Sequence, residues 1–201
     1  VMRLRKLIGL TGKTGAGKST VSAYFKEKGA YIIDGDVVAR NVFNVDKTLI
    51  DKLVDAFGNI LNEDKTLNRS ELAKRAFSSP ENTELLNSIM HPAINRLIED
   101  EVEKAFENYN VVVVDAAAII ESGFTKRCDC IIIVTAPVEI RKKRIIARDS
   151  LSEENALIRI NGQKDDEFYL SKADFVVNND GDNEELKDQL IKLEKEIFTV
   201  E

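Results

Sequence analysis

Short runs of apolar, often β-branched residues recur along the chain at intervals that helices could fill. The runs are Leu7–Thr11, Tyr31–Asp34, Val111–Asp115, Ile131–Thr135 and Phe175–Val177. Two of them, at positions 111–114 and 131–134, are continuous rather than alternating, as in strands that are covered on both faces. The pattern therefore predicts five strands of a parallel sheet flanked by helices.

Segments with helical periodicity separate most of these runs. The clearest are Ser19–Lys28, Val138–Ala147 and Glu184–Phe198. Alternation of strands and helices predicts an α/β fold with right-handed crossovers.

The interval between the second and third predicted strands is too long for a single crossover. It holds roughly seventy-five residues, and its helical segments are Thr48–Phe57, Ser70–Phe77, Glu81–Met90 and Pro92–Phe106. A second interruption, residues 141–171, is dense in charge and is called the charged segment below. We therefore expect one domain over residues 1–201, with a core (about 1–36, 109–140 and 172–201), a helical insertion (about 37–108) and the charged segment.

The net charge, the lengths of the apolar runs and the cysteine spacing argue against several classes of protein. The net charge of −6 over 201 residues argues against a general nucleic-acid binder. No apolar run approaches the roughly 18 residues of a membrane span, and the charged N-terminus is not typical of a signal peptide. The two cysteines lack metal or redox spacing, so a reduced, cytoplasmic protein is expected, and no particular protein partner is indicated.

A glycine-rich loop follows the first predicted strand. The segment GKTGAGKS, from Gly12 to Ser19, fits the phosphate-loop pattern G-x-x-x-x-G-K-S/T without a mismatch. Its glycines allow backbone N–H groups to turn toward phosphate oxygens, and the following helix adds the partial positive charge of its N-terminus. Lys18 would reach the β- and γ-phosphates, and the Ser19 hydroxyl would bind Mg²⁺. The loop predicts binding of a nucleoside triphosphate.

The phosphate loop alone does not identify the acceptor of the phosphate. Neither a guanine-reading N-K-x-D segment nor an LSGGQ-like signature occurs in the sequence, which favours small-molecule kinases. The second predicted strand ends in Asp34-Gly35-Asp36, at the sheet edge where ligands gather. A carboxylate there could be the base for an attacking hydroxyl, but capping of the next helix is an equally good interpretation.

The chain resembles the dephospho-CoA kinases, the last enzymes of coenzyme A biosynthesis. The resemblance begins with IGLTGKTGAGKSTVSAYFKEKGAYIIDGDVVAR and spans nearly the whole chain. It continues through Leu67-Asn68-Arg69, Met90-His91-Pro92, Val114–Gly123, Arg144–Asp149 and Ala173–Gly181. It implies transfer of the γ-phosphate of ATP to the ribose 3′-hydroxyl of dephospho-CoA, with Mg²⁺ as cofactor.

The resemblance also implies roles for individual residues. Asp36 would be the base, Arg40, Arg69 and His91 would contact the substrate within a CoA-binding insertion, and the charged segment would be a lid. With Lys18, the catalytic set would include Arg144 and Arg148, which recur with Arg141 on one helix face. The implied ATP-binding residues are Gly12, Gly15, Ala16, Gly17, Lys18, Ser19, Thr20 and Asn179.

Several interpretations stay open. The arginine face could instead be solvated and paired with nearby acids; Arg141 is expected on the surface, and Arg159 is a less favoured lid residue. Asp115 could hold a water bound to Mg²⁺ or cap the next turn. Lys13 stands where the family usually has glycine, and Asp115–Glu121 lacks the usual proline and leucines. A nucleoside or nucleotide monophosphate kinase and a nucleotide-dependent switch are the competing functions.

Overall fold

A five-stranded parallel sheet forms the centre of the protein, whose computed structural model describes residues 5–198. The strand order is β2-β3-β1-β4-β5, and all four pairings between neighbours are parallel. The strands are β1 (Lys6–Gly12), β2 (Tyr31–Asp34), β3 (Val111–Asp115), β4 (Cys130–Thr135) and β5 (Phe175–Asn178). The predicted sheet is confirmed, with strand ends shifted by no more than one residue.

Helices occupy most of the remaining chain. They are α1 (Lys18–Glu27), α2 (Gly35–Val45), α3 (Thr48–Phe57), α4 (Arg69–Ala76), α5 (Pro80–Ala105), α6 (Val138–Asp149), α7 (Glu153–Asn161), α8 (Asp166–Leu170) and α9 (Asn183–Phe198). A short 3₁₀ helix, Phe124–Arg127, precedes β4. No helix within residues 5–198 is long and apolar enough to cross a membrane.

One helix differs from the prediction made from the sequence. Two helices were expected to meet at His91-Pro92, whereas α5 runs through Pro92 without interruption. A proline inside a helix removes a hydrogen bond and costs about 3 kcal/mol. Met90 and Ala93, on either side of it, both pack into an apolar cluster with Val42 and Leu49. Burial of these side chains against α2 and α3 offsets the loss and keeps the helix continuous.

The main core covers one face of the sheet. Side chains of β1 and β4, such as Ile8 and Ile132, pack against Phe25 of α1 and Leu190 of α9, and each is at most 2% exposed. Full burial of each such side chain stabilises the fold by about 1.5–3 kcal/mol. The opposite face of β4 is covered as well, since Ile131 and Ile133 are at most 5% exposed, and burial on both faces explains the continuous apolar runs.

The chain divides into two compact units. The sheet unit comprises the residues up to Asp34 and from Val102 onward, and the helical unit comprises Gly35–Glu101. The helical unit has its own core, built from Leu53, Phe57, Ile60, Leu72 and Ala76. The division of the chain into a catalytic core, a CoA-binding insertion and a lid stays a functional prediction.

Candidate functional site at the carboxyl edge of the sheet

Polar residues collect where the parallel strands end. Asp34 and Asp115 are register partners at the ends of β2 and β3, and Thr135 and Asn178 are partners at the ends of β4 and β5. The phosphate loop leaves β1 between these two pairs of strands. Ligands of open α/β sheets bind at this edge, so the fold places the loop where the sequence predicted it.

Two loop glycines are required by close approach of other chain segments. A Cβ atom on Gly12 would collide with the carbonyl oxygen of Val134 in β4. Gly17, the residue before α1, has φ 97° and ψ 31°, a left-handed conformation that side chains rarely adopt. A Cβ there would also collide with the side-chain amide of Asn179. The loop therefore depends on glycine both for its turn and for its packing.

Arg144 and Asn179 brace the phosphate loop from outside. The Asn179 side-chain amide donates a 2.8 Å hydrogen bond to the carbonyl oxygen of Ala16. Arg144 Nη1 lies 3.3 Å from that oxygen and 3.4 Å from the carbonyl oxygen of Gly15. Arg144 Nη2 in turn donates to the Asn179 carbonyl oxygen at 3.1 Å. Both residues are thus brought to the loop, where they hold its carbonyl groups.

The charged segment also contacts the loop. The backbone N–H of Thr14 donates a 2.9 Å hydrogen bond to Gln163 Oε1, just beyond α7. The Lys13 ammonium lies 2.6 Å from Asp166 Oδ1 and 5.9 Å from the centre of the Tyr169 ring. These contacts were not predicted, because nothing in the local sequence links residues about 150 positions apart.

Arg148 does not reach the loop in this structure. Its guanidinium donates two hydrogen bonds, of 2.7 and 2.8 Å, to the carboxylate of the adjacent Asp149. Arg159 donates to the same carboxylate at 2.6 Å. The hydrogen bond from Arg148 is the main reason that the pKa of Asp149 is lowered. Arg148 and Arg159 therefore share one carboxylate, as the alternative interpretation of the arginine face expects for arginines paired with nearby acids.

The expectation that Arg141 lies on the surface is wrong. Its side chain is only 3% exposed, and Nε and Nη1 of its guanidinium have no hydrogen-bond partner within residues 5–198. Burial lowers the pKa of Arg141. Arg141 and Ile145 are the two buried residues of α6, and their spacing of four places them on one face. The face that carries the arginines is therefore partly turned into the protein.

Asp115 is anchored by a serine that the sequence analysis did not single out. The Ser22 hydroxyl donates to Asp115 Oδ2 at 2.5 Å, which fixes the carboxylate against α1. Ser22 lies three residues after Ser19, so the two hydroxyls share one face of the helix. Position i+3 from the loop serine is the only sequence signal that could have identified it. The anchored carboxylate thus lies beside the helix face that carries Ser19.

Hydroxyl and carboxylate oxygens are the hard ligands that Mg²⁺ prefers. Ser19 and Asp115 supply one of each on the same side of α1. The donor set at the carboxyl edge therefore fits the predicted magnesium ion.

The helical unit holds the remaining predicted residues. Asp36 is an exposed residue in the first turn of α2, where a carboxylate is favoured by the helix dipole. Asp36 therefore belongs to the helix and not to the strand, because β2 ends at Asp34. His91 is half-buried on α5, and burial lowers its pKa.

Arg40 and Arg69 lie at an apolar pocket of about 270 Å³ within the helical unit. Arg69 Nη2 donates a 3.2 Å hydrogen bond to the carbonyl oxygen of Arg40, and its guanidinium lies 5.3 Å from the centre of the Phe43 ring. The other lining residues are Ala39, Leu67, Leu72, Ala73, Phe77, Leu86 and Met90. An apolar wall with two cations fits a ligand that has both an apolar and an anionic part.

The phosphate loop at the edge of this parallel sheet defines a nucleotide-binding protein of the P-loop class. The chain aligns over 98% of its length with all of a structure titled TT1252 from Thermus thermophilus, with a TM-score of 0.81 and 29% identity. A dephospho-CoA kinase structure from Campylobacter jejuni covers 96% of the chain and is itself covered to 98%, with a TM-score of 0.67 and 27% identity. These similarities agree with the fold described above.

The dephospho-CoA kinase family model matches residues 6–185. A dephospho-CoA kinase of Corynebacterium jeikeium is 42% identical over 184 residues, which cover 91% of this chain and 95% of that protein. The chain belongs to the dephospho-CoA kinase family. It is accordingly a kinase that uses ATP to phosphorylate dephospho-CoA in the final step of coenzyme A biosynthesis.

Proposed function

We propose that the reaction transfers the γ-phosphoryl group of ATP to the ribose 3′-hydroxyl of dephospho-CoA, giving coenzyme A and ADP. The observation that carries this proposal is the braced phosphate loop in a chain that matches the family over most of its length. The bracing residues, Arg144 and Asn179, come from two distant segments, so the loop is held as one part of a larger site.

ATP binding is assigned to the loop and the turn beside it. The residues are Gly12, Gly15, Ala16, Gly17, Lys18, Ser19, Thr20 and Asn179. Donors from Arg144 and Asn179 hold the Ala16 carbonyl. The phosphate ligands would be loop N–H groups, of which that of Thr14 must first be released by Gln163. Lys18, at the first position of α1, adds a positive charge for the β- and γ-phosphates.

Ser19 and Asp115 would hold the Mg²⁺ ion. When bound, the ion neutralises charge on the phosphates and orients them. Ser22 would act on Asp115 alone, because its hydroxyl is already donated to that carboxylate. The serine is thus a positioning residue.

Asp36 is assigned as the base. The ribose oxygen attacks the γ-phosphorus, its proton passes to the Asp36 carboxylate, and the bond from that phosphorus to the bridging oxygen breaks, releasing ADP. Arg144 and Arg148 would stabilise the charge of the transferred group. Arg148 must first exchange Asp149 for phosphate, because both of its hydrogen bonds described above go to that carboxylate.

The acceptor would bind through the helical unit. Arg40 and Arg69 can pair with the diphosphate of dephospho-CoA, and the apolar wall of their pocket suits the pantetheine arm. His91 is adjacent to Met90, which lines that pocket, and is retained as a substrate-side residue. We also infer a cytoplasmic location and no nucleic-acid or membrane partner, from the acidic composition and the ligands proposed.

A coupled assay of ADP release tests the function. Dephospho-CoA, adenosine, AMP and cytidine are offered separately with ATP and Mg²⁺, and the phosphorylated product is located by ³¹P NMR. We expect turnover with dephospho-CoA alone and a phosphate on the 3′ position. Faster turnover with AMP or cytidine would overturn the acceptor, and hydrolysis independent of any acceptor would favour a switch.

A further inference from the structure

Arg141 is a buried cation, and two of its nitrogen atoms have no hydrogen-bond partner in the part of the chain that the structure describes. The side chain is 3% exposed, and its Nε and Nη1 atoms are the unpartnered donors. Buried charged groups are normally paired, because leaving one unpaired in a low-dielectric interior is strongly unfavourable. The two unsatisfied nitrogens therefore indicate a missing hydrogen-bond acceptor.

The surroundings of Arg141 carry more positive than negative charge. Arg141 lines a small cavity in the sheet unit together with Lys13 and Asp166, the only other charged residues that line it. Asp166 lies 2.6 Å from the Lys13 ammonium, and its own side chain is 79% exposed. One carboxylate thus serves two cations, and a single positive charge is left over at the guanidinium.

The cavity sets the size of what could balance that charge. Its volume of about 20 Å³ is enough for one particle of roughly the size of water. Phosphate, sulfate and carboxylate groups, with three or more heavy atoms each, need several times this space, whereas a single halide ion is only slightly larger than a water molecule. The remaining walls come from the end of β4 and from α8, and include Val134, Thr135 and Tyr169.

We propose that Arg141 and Lys13 form a binding site for one monatomic anion, a halide such as chloride, between the phosphate loop and α8. The anion accepts hydrogen bonds from the free guanidinium nitrogens and completes the charge balance of the cavity. Because Arg141 lies on α6, Lys13 on the loop and Asp166 on α8, occupation of the site ties these three elements together. The proposal does not depend on the acceptor of the kinase.

Bromide provides a direct test, because it replaces chloride and can be located by anomalous diffraction. Crystals of the full chain grown in bromide should show an anomalous peak within hydrogen-bonding distance of Arg141. The peak should be absent in Arg141→Gln and should persist in Lys143→Gln. The control removes the same charge from an exposed position of the same helix.

A solution experiment complements the crystals. Broadening of the ³⁵Cl NMR signal by the wild-type protein should be reversed by added bromide and should be lost in Arg141→Gln. The proposal is overturned if the wild-type cavity shows no anomalous peak, if the peak persists in Arg141→Gln, or if sulfate occupies the cavity instead. The wild-type crystals decide the matter even if the variant does not fold.

Discussion

The backbone N–H of Thr14 and the side-chain oxygen of Gln163 are joined by a 2.9 Å hydrogen bond. Thr14 belongs to the phosphate loop, and Gln163 belongs to the charged segment. A group that could bind a phosphate oxygen is therefore already occupied by a side chain of the protein. ATP that uses this N–H must displace Gln163.

Removal of that competitor should tighten ATP binding. A neutral hydrogen bond contributes about 0.5–1.5 kcal/mol net, so Gln163→Ala should lower the Kd for ATP by about two- to tenfold. Isothermal titration calorimetry measures the change. Asn161→Ala, at an exposed position of the same segment, is the control and should leave the Kd unchanged. Weaker binding in Gln163→Ala would mean that Gln163 is itself an ATP ligand.

Substitution of the proposed base separates chemistry from binding. Asp36→Asn should reduce kcat by about 10²–10⁴-fold while the Kd for ATP changes little, because the amide cannot take the ribose proton. Asp51→Asn makes the same change in the first turn of α3 and should retain turnover. Lys18→Ala should impair both ATP binding and turnover. Near-normal kcat in Asp36→Asn would disprove the assigned base.

The carboxylate of Asp115 should control the magnesium requirement. Asp115→Asn should raise the Mg²⁺ concentration needed for half-maximal activity by about tenfold or more, because a charged oxygen near the ion is lost. Asp129→Asn is a demanding control, since the Asp129 carboxylate accepts a 2.7 Å hydrogen bond from the Leu7 backbone. That variant should lose stability but keep its magnesium dependence. Equal magnesium dependence in both variants would exclude the role given to Asp115.

Arg69, which lines the apolar pocket with Arg40, should contribute to binding of the acceptor and not to binding of ATP. Arg69→Gln should raise the KM for dephospho-CoA by about tenfold, because a charge-assisted hydrogen bond to phosphate is lost, and should leave the KM for ATP unchanged. Arg96→Gln removes an exposed arginine of the same unit, one that pairs with Asp46 at 2.9 Å. Initial-rate kinetics with each substrate varied in turn measure both constants. A matching rise in the KM for ATP would refute a separate acceptor pocket.

Tyr24 links α1 to α9, and its titration should report that contact. Its hydroxyl donates to Glu194 at 2.5 Å, and burial together with this carboxylate raises the pKa of Tyr24 to about 12. The folded state therefore holds the phenolic proton more tightly than the unfolded state. The contribution of this contact to the free energy of unfolding is fully present below about pH 10 and is lost as the pH rises from there through about 12.

Tyr24→Phe should diminish the late step in the absorbance titration of the tyrosines, to which Tyr169 also contributes because burial raises its pKa. It should also lower the free energy of unfolding by about 1 kcal/mol, which for a chain of this size corresponds to about 2–4 °C in Tm. Tyr109→Phe, at an exposed tyrosine, should leave the late step in place. A late step of undiminished size in Tyr24→Phe would show that Tyr24 does not contribute to it.

The sheet was predictable because its signals are local. Strands such as Ile131–Thr135 are covered on both faces, so continuous apolar runs identify them without any knowledge of their neighbours. The same holds for the phosphate loop, whose glycines and Lys18 occupy fixed positions in a short motif. The path of α5 was mispredicted because burial of Met90 and Ala93 outweighs the local effect of Pro92.

Contacts across long stretches of chain could not be read from the sequence. The spacing of Arg141 and Arg144 correctly places them on one helix face, but spacing does not tell which part of that face is covered by the loop. The pairing of Lys13 with Asp166 and the capture of the Thr14 N–H by Gln163 likewise depend on tertiary structure. The roles of Asp36, Arg40 and His91 come from the family resemblance, and that of Asp36 is tested by the substitution described above.

The bracing of Ala16 by Asn179 and Arg144 has a consequence for the thermodynamics of nucleotide capture. A loop that is already immobilised during folding gives up little conformational entropy when its ligand arrives. Removal of the Asn179 amide would make the loop more mobile, and the entropy of ordering the loop would then be lost when the nucleotide binds. The outer carbonyl contacts therefore act as preorganisation, in addition to the contacts proposed between Arg144 and Asn179 and the nucleotide itself.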